Sequence, residues 1–372
     1  MRPERSTWAE IDLSAIKHNI GVVRQLVGTG VEIMAVVKAD AYGHGSAAVA
    51  RTAVESGVDR LGVATLTEAI ELREAGVRFP IQILGCSLPE QVDDIVRYNI
   101  VQTVSNEEIV RALSRAAARA TKTARVHIKV DTGMGRVGVA EHELPQFVRR
   151  VSEYESVRIE GLMTHFPCAD EASDDFTPSQ IERFRRLAGD ESVKRYNVLL
   201  HAANSAAIVR YPESYFNLVR PGLMLYGAVT LSDCPVRPLL KPALSLKSRI
   251  VQIRSMSSGE AVSYGRTYVT PKDTVVAAIP IGYADGFSRM LSNKAQVLVN
   301  GKRVPVVGRV CMDQCLVDIA DAGEVRLGDI VTLIGADGGE LIRAEEVAAW
   351  AGTIPHEVLC TIGKRVQRIY VS

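Results

Sequence analysis

The chain has 372 residues, of which 47% are hydrophobic and 23% are charged, and its formal net charge is +1. This length allows two domains, or one large barrel with an appended domain. Basic and acidic residues are interleaved without long runs, which argues against nucleic acid or a membrane surface as the main partner. No apolar stretch approaches the ~20 residues that span a bilayer. The charged residues 1–7 do not resemble a secretory signal, so we expect a cytoplasmic protein.

The first two-thirds of the chain alternates short apolar runs with longer amphipathic stretches. The apolar runs predict eight strands, at residues 33–37, 60–64, 81–84, 101–104, 125–130, 159–164, 198–201 and 218–226. The amphipathic stretches predict helices at residues 14–27, 67–75, 106–120 and 178–196. Such alternation favours a parallel (β/α)₈ TIM barrel. A doubly wound sheet is the alternative, but no GxGxxG follows the first strand.

The pattern changes at residues 235–242, where three prolines interrupt regular structure. Beyond them the chain is predicted to be mainly β, with one helix at 344–350 and strands at 243–256, 273–280, 295–299, 303–307, 315–319, 329–334 and 366–371. Asn300-Gly301 predicts a two-residue hairpin between two of these strands. We therefore predict a barrel domain at residues 1–240 and a mainly β domain at 241–372, on which the extreme N-terminus can pack.

Six cysteines are scattered along the chain and have neither CxxC nor zinc-like spacing. Reduced thiols are the default for such a pattern in a cytoplasmic protein. The sequence accordingly predicts no metal site.

Lys38 follows the first predicted strand directly and precedes a turn that contains Tyr42, Gly43 and Gly45. An amine at the mouth of a scaffold is partly desolvated, which lowers its pKa and lets it form a Schiff base. An isolated lysine at a strand end is more often an ordinary surface residue. The surrounding polar residues decide between these two interpretations.

Polar side chains follow several of the other predicted strands as well. The active site of a (β/α)₈ barrel lies at the C-terminal ends of its strands, so these side chains are expected to meet there. The residues concerned are Lys38, Tyr42, Lys129, Asp131, Arg136, His165, His201, Asn204, Ser205, Arg220 and Gly222. Each buried charge needs a partner, so such a concentration is hard to explain structurally.

A phosphate needs backbone N–H groups and hydroxyls, which barrel loops after strands seven and eight commonly supply. Asn204-Ser205 and Gly222-Leu223 suit this task, and Tyr42 is expected to lie opposite them.

Seven segments resemble the alanine racemases, a family of pyridoxal-phosphate enzymes, in the family's order and over essentially the whole chain. They are residues 35–45, 129–138 (KVDTGMGRVG), 161–166 (GLMTHF), 217–227 (NLVRPGLMLYG), 263–268 (SYGRTY), 280–286 (PIGYADG) and 308–313 (GRVCMD). The resemblance implies a barrel and a β domain, paired head-to-tail in a homodimer with shared active sites. It further implies that Lys38 holds pyridoxal 5'-phosphate in a Schiff base and acts as one of two bases.

The resemblance also assigns roles to other residues. The second base would be Tyr264, contributed by the partner's β domain. Arg220 would face the pyridine nitrogen and leave it unprotonated, so that the ring is a weaker electron sink. His165 would bridge Arg220 and the tyrosine, Lys129 would be the position often carbamylated, and Arg136 would bind the substrate carboxylate with Met312 of the partner. An entrance corridor would be lined by Asp170, Tyr283, Arg289, Arg309 and Ile354.

One position departs from the family pattern. His356 stands where the family usually carries a tyrosine that reaches the cofactor phosphate and narrows the pocket beside Tyr264. An imidazole can still donate a hydrogen bond, and its cation would suit a phosphate, but its shape differs. Pocket volume and pH dependence are therefore expected to differ from the family.

The sequence favours racemisation of alanine, with supply of D-alanine for peptidoglycan as the implied role. A racemase of broader range, acting on serine or basic amino acids, is the runner-up. A non-catalytic pyridoxal-phosphate carrier would be a barrel alone, which residues 243–372 argue against. A decarboxylase on a similar scaffold is a further alternative, but the segments around Tyr264 and Met312 fit the racemases better.

Overall fold

The computed structural model describes residues 5–171, 175–231 and 233–372. It has a nearly closed barrel of eight parallel strands followed by a mainly β part. No helix within these ranges is long and apolar enough to cross a membrane.

The first part of the chain contains ten strands and ten helices in the described ranges. The strands are β1 (Thr7–Asp12), β2 (Glu32–Val36), β3 (Arg60–Val63), β4 (Ile81–Ile83), β5 (Val101–Val104), β6 (Ala124–Asp131), β7 (Val139–Ala140), β8 (Val157–Met163), β9 (Leu199–His201) and β10 (Leu218–Val219). The helices are α1 (Leu13–Val27), α2 (Lys38–Gly43), α3 (Ser46–Glu55), α4 (Leu66–Glu74), α5 (Val92–Arg97), α6 (Glu107–Arg119), α7 (Leu144–Ser152), α8 (Phe176–Ala188), α9 (Glu191–Lys194) and α10 (Ser205–Arg210).

The barrel strands pair in the order β10, β2, β3, β4, β5, β6, β8 and β9, all parallel, which confirms the predicted architecture. No regular ladder joins β9 to β10. Two backbone hydrogen bonds cross this gap instead, from Asn217 N to Leu200 O (3.3 Å) and from Arg220 N to Ala203 O (3.0 Å). The barrel is therefore nearly, but not fully, closed.

The eighth strand is much shorter than predicted. It ends at Val219, and the predicted continuation to residue 226 is a 3₁₀ turn at Leu223–Tyr226. Pro221 has no N–H to donate to a ladder, so the strand cannot continue through it. Arg220 and Gly222 thus lie beyond the strand, on the rim of the barrel.

Helix α6 illustrates how local sequence sets the element boundaries. Asn106 caps its N-terminus by accepting a hydrogen bond from Ile109 N (3.1 Å), as the sequence predicts. Glu107 and Glu108 occupy the first turn and Arg119 the last, which complements the helix dipole. The predicted helix at 178–196 is instead two helices, α8 and α9, with Asp190 capping the second.

The second part contains three sheets. Its strands are β11 (Leu244–Arg249), β12 (Gln252–Met256), β13 (Ala261–Val262), β14 (Tyr268–Val269), β15 (Thr274–Ile279), β16 (Gln296–Val299), β17 (Lys302–Pro305), β18 (Cys315–Asp318), β19 (Ile330–Asp337), β20 (Glu340–Ile342) and β21 (Gln367–Val371), and its helices are α11 (Ala344–Ala351) and α12 (Pro355–Cys360). The largest sheet has the order β17, β16, β19, β11, β1 and β21, with β20 paired to β19. A three-stranded sheet joins β12, β15 and β18, and a small hairpin joins β13 and β14.

Strand β1 was not among the predicted strands. It pairs antiparallel with β11 and parallel with β21, so residues 7–12 belong to a sheet whose other strands follow residue 243. Residues 1–4 lie outside the described ranges. The division into domains at 1–240 and 241–372 stays a prediction.

Of two other predictions for the β part, one is confirmed and one is wrong. The hairpin at Asn300-Gly301 is confirmed, because both residues have positive φ (52° and 72°) and the flanking strands pair across them. The single strand predicted at 243–256 is wrong. The chain switches sheets there, since Ile250 N bonds to Asp329 O and Val251 N bonds to Ala278 O, both at 2.9 Å.

Candidate active site

Lys38 opens a left-handed turn that the sequence did not predict. The four residues after it, 39–42, have φ between 51° and 54°, although none is a glycine. Each such residue costs roughly 1–2 kcal/mol, so surrounding contacts must hold the turn. Ala39 N donates to Glu68 Oε1 (2.7 Å), Ser46 N donates to Asp40 Oδ1 (2.7 Å), and Arg368 Nε donates to Gly43 O (3.0 Å).

A cavity of about 500 Å³ opens at the C-terminal ends of the barrel strands. Ten residues that the sequence singled out line it together, although they lie far apart in the chain. They are Lys38, Tyr42, His165, Asp170, Asn204, Ser205, Arg220, Gly222, Leu223 and His356. The barrel topology therefore brings together the polar residues that follow its strands, as expected of this fold.

Arg220 lies at the centre of a buried hydrogen-bond network. The side chain is only 4% exposed, and its Nη2 donates to Thr164 O and Ala202 O, both at 2.9 Å. Nη1 lies 2.9 Å from His201 Nδ1, and Nη2 lies 3.2 Å from His165 Nδ1. Burial lowers the pKa of Arg220 to about 9, which leaves the guanidinium protonated at neutral pH.

The guanidinium fixes the tautomers of two histidines. A guanidinium has no acceptor, so His201 and His165 must each present an unprotonated Nδ1 to it and carry their proton on Nε2. His201 Nε2 therefore donates to His127 Nδ1, 2.8 Å away. Burial, together with the charge of Arg220, holds the pKa values of His165 and His201 well below their usual range, so both rings are neutral.

Both lysines of the predicted site have lowered pKa values. Burial is the largest cause for Lys38, with Arg136 and Arg220 adding to it. Lys129, which lies buried in β6, has its pKa lowered to about 8 by burial and by the same two arginines. Each amine is thus easier to deprotonate than a surface lysine, and its neutral form is the nucleophilic and basic one.

Ser205, Gly222 and Tyr42 form one wall of the cavity. Ser205 Oγ accepts hydrogen bonds from Gly222 N (2.9 Å) and Met224 N (3.4 Å). A Cβ at Gly222 would approach the Tyr42 hydroxyl to 2.5 Å, so only glycine lets this backbone and that hydroxyl face each other. The Tyr42 ring stacks on Tyr226 with centroids 4.9 Å apart, which holds its hydroxyl in place.

His356 lies in α12 and faces the same cavity. Its ring centroid is 5.8 Å from that of Tyr42, and its buried Nδ1 has no hydrogen-bond partner among the described residues. Burial and the nearby Lys38 lower its pKa, against a smaller opposing effect of Asp170. These surroundings favour a neutral imidazole rather than the cation that the sequence also allowed.

Tyr264 and Met312 do not line the cavity of their own chain. Both are exposed, by 72% and 53% respectively. The backbone before Tyr264 is strained, because Ser263 has φ 60° and ψ −176°, a conformation used almost only by glycine. Ser263 Oγ donates to Arg309 O (2.7 Å), which fixes this turn against the segment that carries Met312.

The predicted corridor residues are not all in one place within one chain. Asp170 lines the Lys38 cavity, whereas Tyr283 and Arg289 line a second cavity of about 510 Å³ in the β part. The Arg309 guanidinium lies against Gly265, and Ile354 is exposed. Arg136 is also exposed and does not line the cavity, although its charge acts on Lys38, Lys129 and His165.

Two residues of the site escaped the sequence analysis. His127 completes the Arg220 network, and Cys360 lines the Lys38 cavity. His127 and Lys129 are two apart in β6, so they point to the same side of the strand, and this spacing could have revealed the histidine. Gly161 leaves room for the His127 ring, which an added Cβ would overlap. No group of three or more His, Cys, Asp or Glu in the described part of the chain could hold a metal ion.

The sequence of the chain is similar to those of alanine racemases. The family models for the alanine racemase N-terminal domain and C-terminal domain match residues 11–230 and 243–370. The chain is 46% identical over 370 residues to the alanine racemase of Halothermothrix orenii, covering 99% of this chain and 98% of that one.

The chain is also similar to solved structures of alanine racemases. The alanine racemase of Clostridium difficile 630 is similar with a TM-score of 0.93 and 37% identity, covering 100% of this chain and 97% of that one. The alanine racemase of Bartonella henselae, described with covalently bound pyridoxal phosphate, is similar with a TM-score of 0.88 and 31% identity, covering 99% of this chain and 100% of that one.

The Arg220 network makes a prediction about His201. His201→Leu removes the acceptor for Arg220 Nη1 and leaves a buried charged donor unpaired, so we expect the free energy of unfolding to fall by about 2–4 kcal/mol. His201→Asn offers Oδ1 near the position of Nδ1 and should lose less than half of that. Urea denaturation measures both, with His142→Leu as the control at an exposed position. Equal losses in the Leu and Asn variants would contradict the assigned role.

Proposed function

The chain belongs to the alanine racemase family and is an isomerase that interconverts L- and D-alanine, and from this premise we propose that it works with pyridoxal 5'-phosphate at Lys38, in a homodimer that shares its active sites. The observation that carries the proposal is the single cavity in which Lys38, Arg220 and Ser205 converge. The cellular role that we propose, supply of D-alanine for peptidoglycan in the cytoplasm, rests on the family resemblance alone.

The residues of the cavity fit this cofactor. Lys38 offers an amine of lowered pKa at the wall, and the Ser205 hydroxyl, the Gly222 backbone and the Tyr42 hydroxyl form a cradle that a larger residue at 222 would fill. Asn204, Leu223 and His356 complete this wall, and the unpartnered Nδ1 of His356 is a polar atom still free to bond. When bound, pyridoxal phosphate supplies an aldehyde that binds amines covalently and a ring that withdraws electrons from the Cα of the amino acid.

Racemisation needs a base on each face of the substrate Cα. Lys38 would take or give the proton on one face, and its lowered pKa suits this exchange. The partner subunit's Tyr264 takes or gives it on the other face. The exposure of Tyr264 and its absence from the cavity of its own chain support this assignment.

His165 would link Arg220 to the second base. Its Nδ1 accepts from Arg220, so its Nε2 carries a proton and can donate to the oxygen of the partner subunit's Tyr264. Such a hydrogen bond stabilises the phenolate and so helps tyrosine to act as a base. Arg220 itself only donates, so a pyridine nitrogen held beside it would stay unprotonated, and the ring would be a weaker electron sink.

Substrate binding and entry use charged groups at the mouth of the cavity. Arg136, with the partner subunit's Met312, would hold the substrate carboxylate. Asp170 and Ile354 would line the entrance corridor with the partner's Tyr283, Arg289 and Arg309. The separation of Tyr283 and Arg289 from the Lys38 cavity within one chain supports their arrival from the partner.

The relatives do not favour the broader racemase, because the proteins matched over nearly full length are named alanine racemases. The match of the family's C-terminal domain also argues against a barrel-only carrier.

Mixing two inactive variants tests the shared site. Lys38→Ala and Tyr264→Phe should each lower alanine racemisation at least about a hundredfold, because each lacks one base. In a heterodimer of the two, one site regains both bases while the other lacks both. With full exchange of subunits, half of the dimers carry one good site of two, so activity should recover to roughly one quarter of wild type. No recovery despite exchange confirmed by mass spectrometry would refute the two-chain site.

Lys129 is the proposed site of carbamylation. Its pKa of about 8 leaves a share of neutral amine at neutral pH, which can attack CO₂ to form an N–C bond and release a proton. The resulting negative charge would lie near Arg136 and Arg220, the arginines that disfavour the ammonium form. Incubation with ¹³C-bicarbonate should give a protein-bound carbamate signal that Lys129→Ala abolishes and Lys17→Ala, on the exposed face of α1, retains. A signal that persists in Lys129→Ala would place the carbamate elsewhere.

Replacing His356 by the usual tyrosine should preserve alanine racemisation but alter the pocket. Tyrosine fills more of the cavity beside Lys38 and adds a hydroxyl, so we expect cofactor affinity or the serine-to-alanine ratio of kcat/KM to change roughly tenfold. Steady-state kinetics on both amino acids and cofactor titration of the apoenzyme measure this, and His356→Phe separates volume from the hydroxyl. Unchanged kinetics and affinity in His356→Tyr would refute a role for this position.

A further inference from the structure

A third cavity, with a polar lining, lies on the opposite rim of the barrel from Lys38. It has a volume of about 360 Å³ and is lined by Arg73, Arg78, Arg97 and Arg125, with Phe79 and Tyr98 among its other walls. These residues come from the last turns of α4 and α5, from the loops that lead from these helices into β4 and β5, and from the start of β6. Because the barrel strands are parallel, their N-terminal ends share one rim, and Lys38 follows the C-terminal end of β2 on the other. We call this cavity the arginine pocket.

The arginine pocket concentrates positive charge without acidic residues. Four guanidiniums contribute to its wall, and none of the residues that line it in the described chain is acidic. The chain as a whole is nearly neutral, and its arginines elsewhere often pair with carboxylates, as in Arg24–Asp59, Arg150–Glu107 and Arg303–Glu346. Of the four arginines of the pocket, Arg125 alone forms an ion pair among the described residues, at 3.7 Å from Glu160.

Arg73 has a structural role in the arginine pocket. Its guanidinium donates to Tyr98 O (3.0 Å), Val77 O (2.9 Å), Phe79 O (2.8 Å) and Asn99 O (3.2 Å), which ties the two loops together. Burial lowers the pKa of Arg73, and the positive charges of Arg125 and Arg78 lower it further because they repel its guanidinium. An anion in the pocket would relieve this repulsion.

Arg78 and Arg97 keep most of their donors available, whereas Arg125 Nη2 donates two long hydrogen bonds, to Asn99 O and Asn99 Oδ1 (both 3.4 Å). Arg78 makes one long hydrogen bond, to Arg73 O (3.3 Å), and forms no ion pair among the described residues. Arg97 also forms none and rests with its Cζ 5.4 Å from the centre of the Tyr98 ring. The nearest acidic partner of Arg125 is Glu160 at 3.7 Å, and that carboxylate is held at 2.5 Å by Arg60.

We propose that the arginine pocket binds a phosphorylated small molecule with at least two negative charges, at a site separate from the racemase cavity. Guanidiniums bind phosphate oxygens through paired N–H donors, and several converging on one pocket favour an oligophosphate over a single carboxylate. The volume suits an oligophosphate, and Phe79, Pro80 and Tyr98 are the less polar residues of the lining, beside which an attached organic group would lie. The proposal does not depend on the assigned reaction, because no residue of the pocket belongs to the racemase site.

Titration calorimetry of the holoenzyme tests this proposal. Pyrophosphate, ADP and ATP are titrated at low ionic strength, and we expect one ligand per chain, with binding that weakens as ionic strength rises from about 0.01 M to about 0.1 M. Pyrophosphate binding as tightly as ATP would identify the phosphates alone as the ligand. Tighter binding of ADP than of pyrophosphate, which has the same number of phosphates, would show that the organic group contributes.

Paired double variants separate a defined site from general electrostatics. Arg78→Gln/Arg97→Gln should weaken binding at least about tenfold, since each removed guanidinium loses a charged hydrogen bond. Arg111→Gln/Arg195→Gln removes the same charge at exposed positions outside the pocket. Arg195 is a close match because its Cζ lies 5.6 Å from the Tyr196 ring, as Arg97 lies over Tyr98. This control should bind within about twofold of wild type.

Racemisation of alanine provides the folding control, because both double variants should retain wild-type kcat and KM. Absence of binding by all three probes to the wild type would overturn the proposal. Equal weakening in the two double variants would overturn it as well, since it would show attraction to the overall charge rather than to the pocket.

Discussion

The guanidinium of Arg220 is buried and forms no ion pair among the described residues. A buried charge without a counter-ion is costly unless its donors are satisfied, and here carbonyl oxygens and histidine nitrogens satisfy them. Three consequences follow from this one charge. It fixes the tautomers of His165 and His201, it adds to the effect of burial in keeping these rings neutral, and it adds to the effects of burial and Arg136 in lowering the pKa values of Lys38 and Lys129. Arg220 therefore adds a fixed positive charge to a cavity in which burial already disfavours protonation of the neighbouring amines and imidazoles.

The left-handed turn after Lys38 is held by contacts from both parts of the chain. Glu68, at the start of α4, holds its first residue, and Arg368, in the last strand β21, holds its end. Strand β21 in turn pairs with β1, near the beginning of the described chain. The conformational cost of four left-handed residues is thus offset by contacts that exist only when the barrel and the β sheet are both in place. Correct placement of Lys38 is therefore a property of the whole fold.

The sequence predicted the barrel well because its strands are buried on both faces and appear as apolar runs. It failed where local pattern does not decide structure. The sequence of strand β1, TWAEID, is only half apolar. Its partner strands lie more than two hundred residues away, so only tertiary pairing reveals the strand. The left-handed turn involves Ala39 to Tyr42, whose residue types favour other conformations. The cavity residues were predictable because they follow strands directly, whereas His127 lies within a strand, where a polar residue is easily taken for core.

The turn that carries Tyr264 has a strained backbone conformation. Ser263 adopts a backbone conformation that costs of order 1–3 kcal/mol, and the tyrosine it presents is largely exposed. Strain of this kind persists when it positions a side chain for a partner. In a two-fold dimer the same pair of surfaces meets twice, so one strained turn per chain would complete two identical cavities. The proposed dimer would use the rim that carries Lys38, and the arginine pocket lies on the opposite rim.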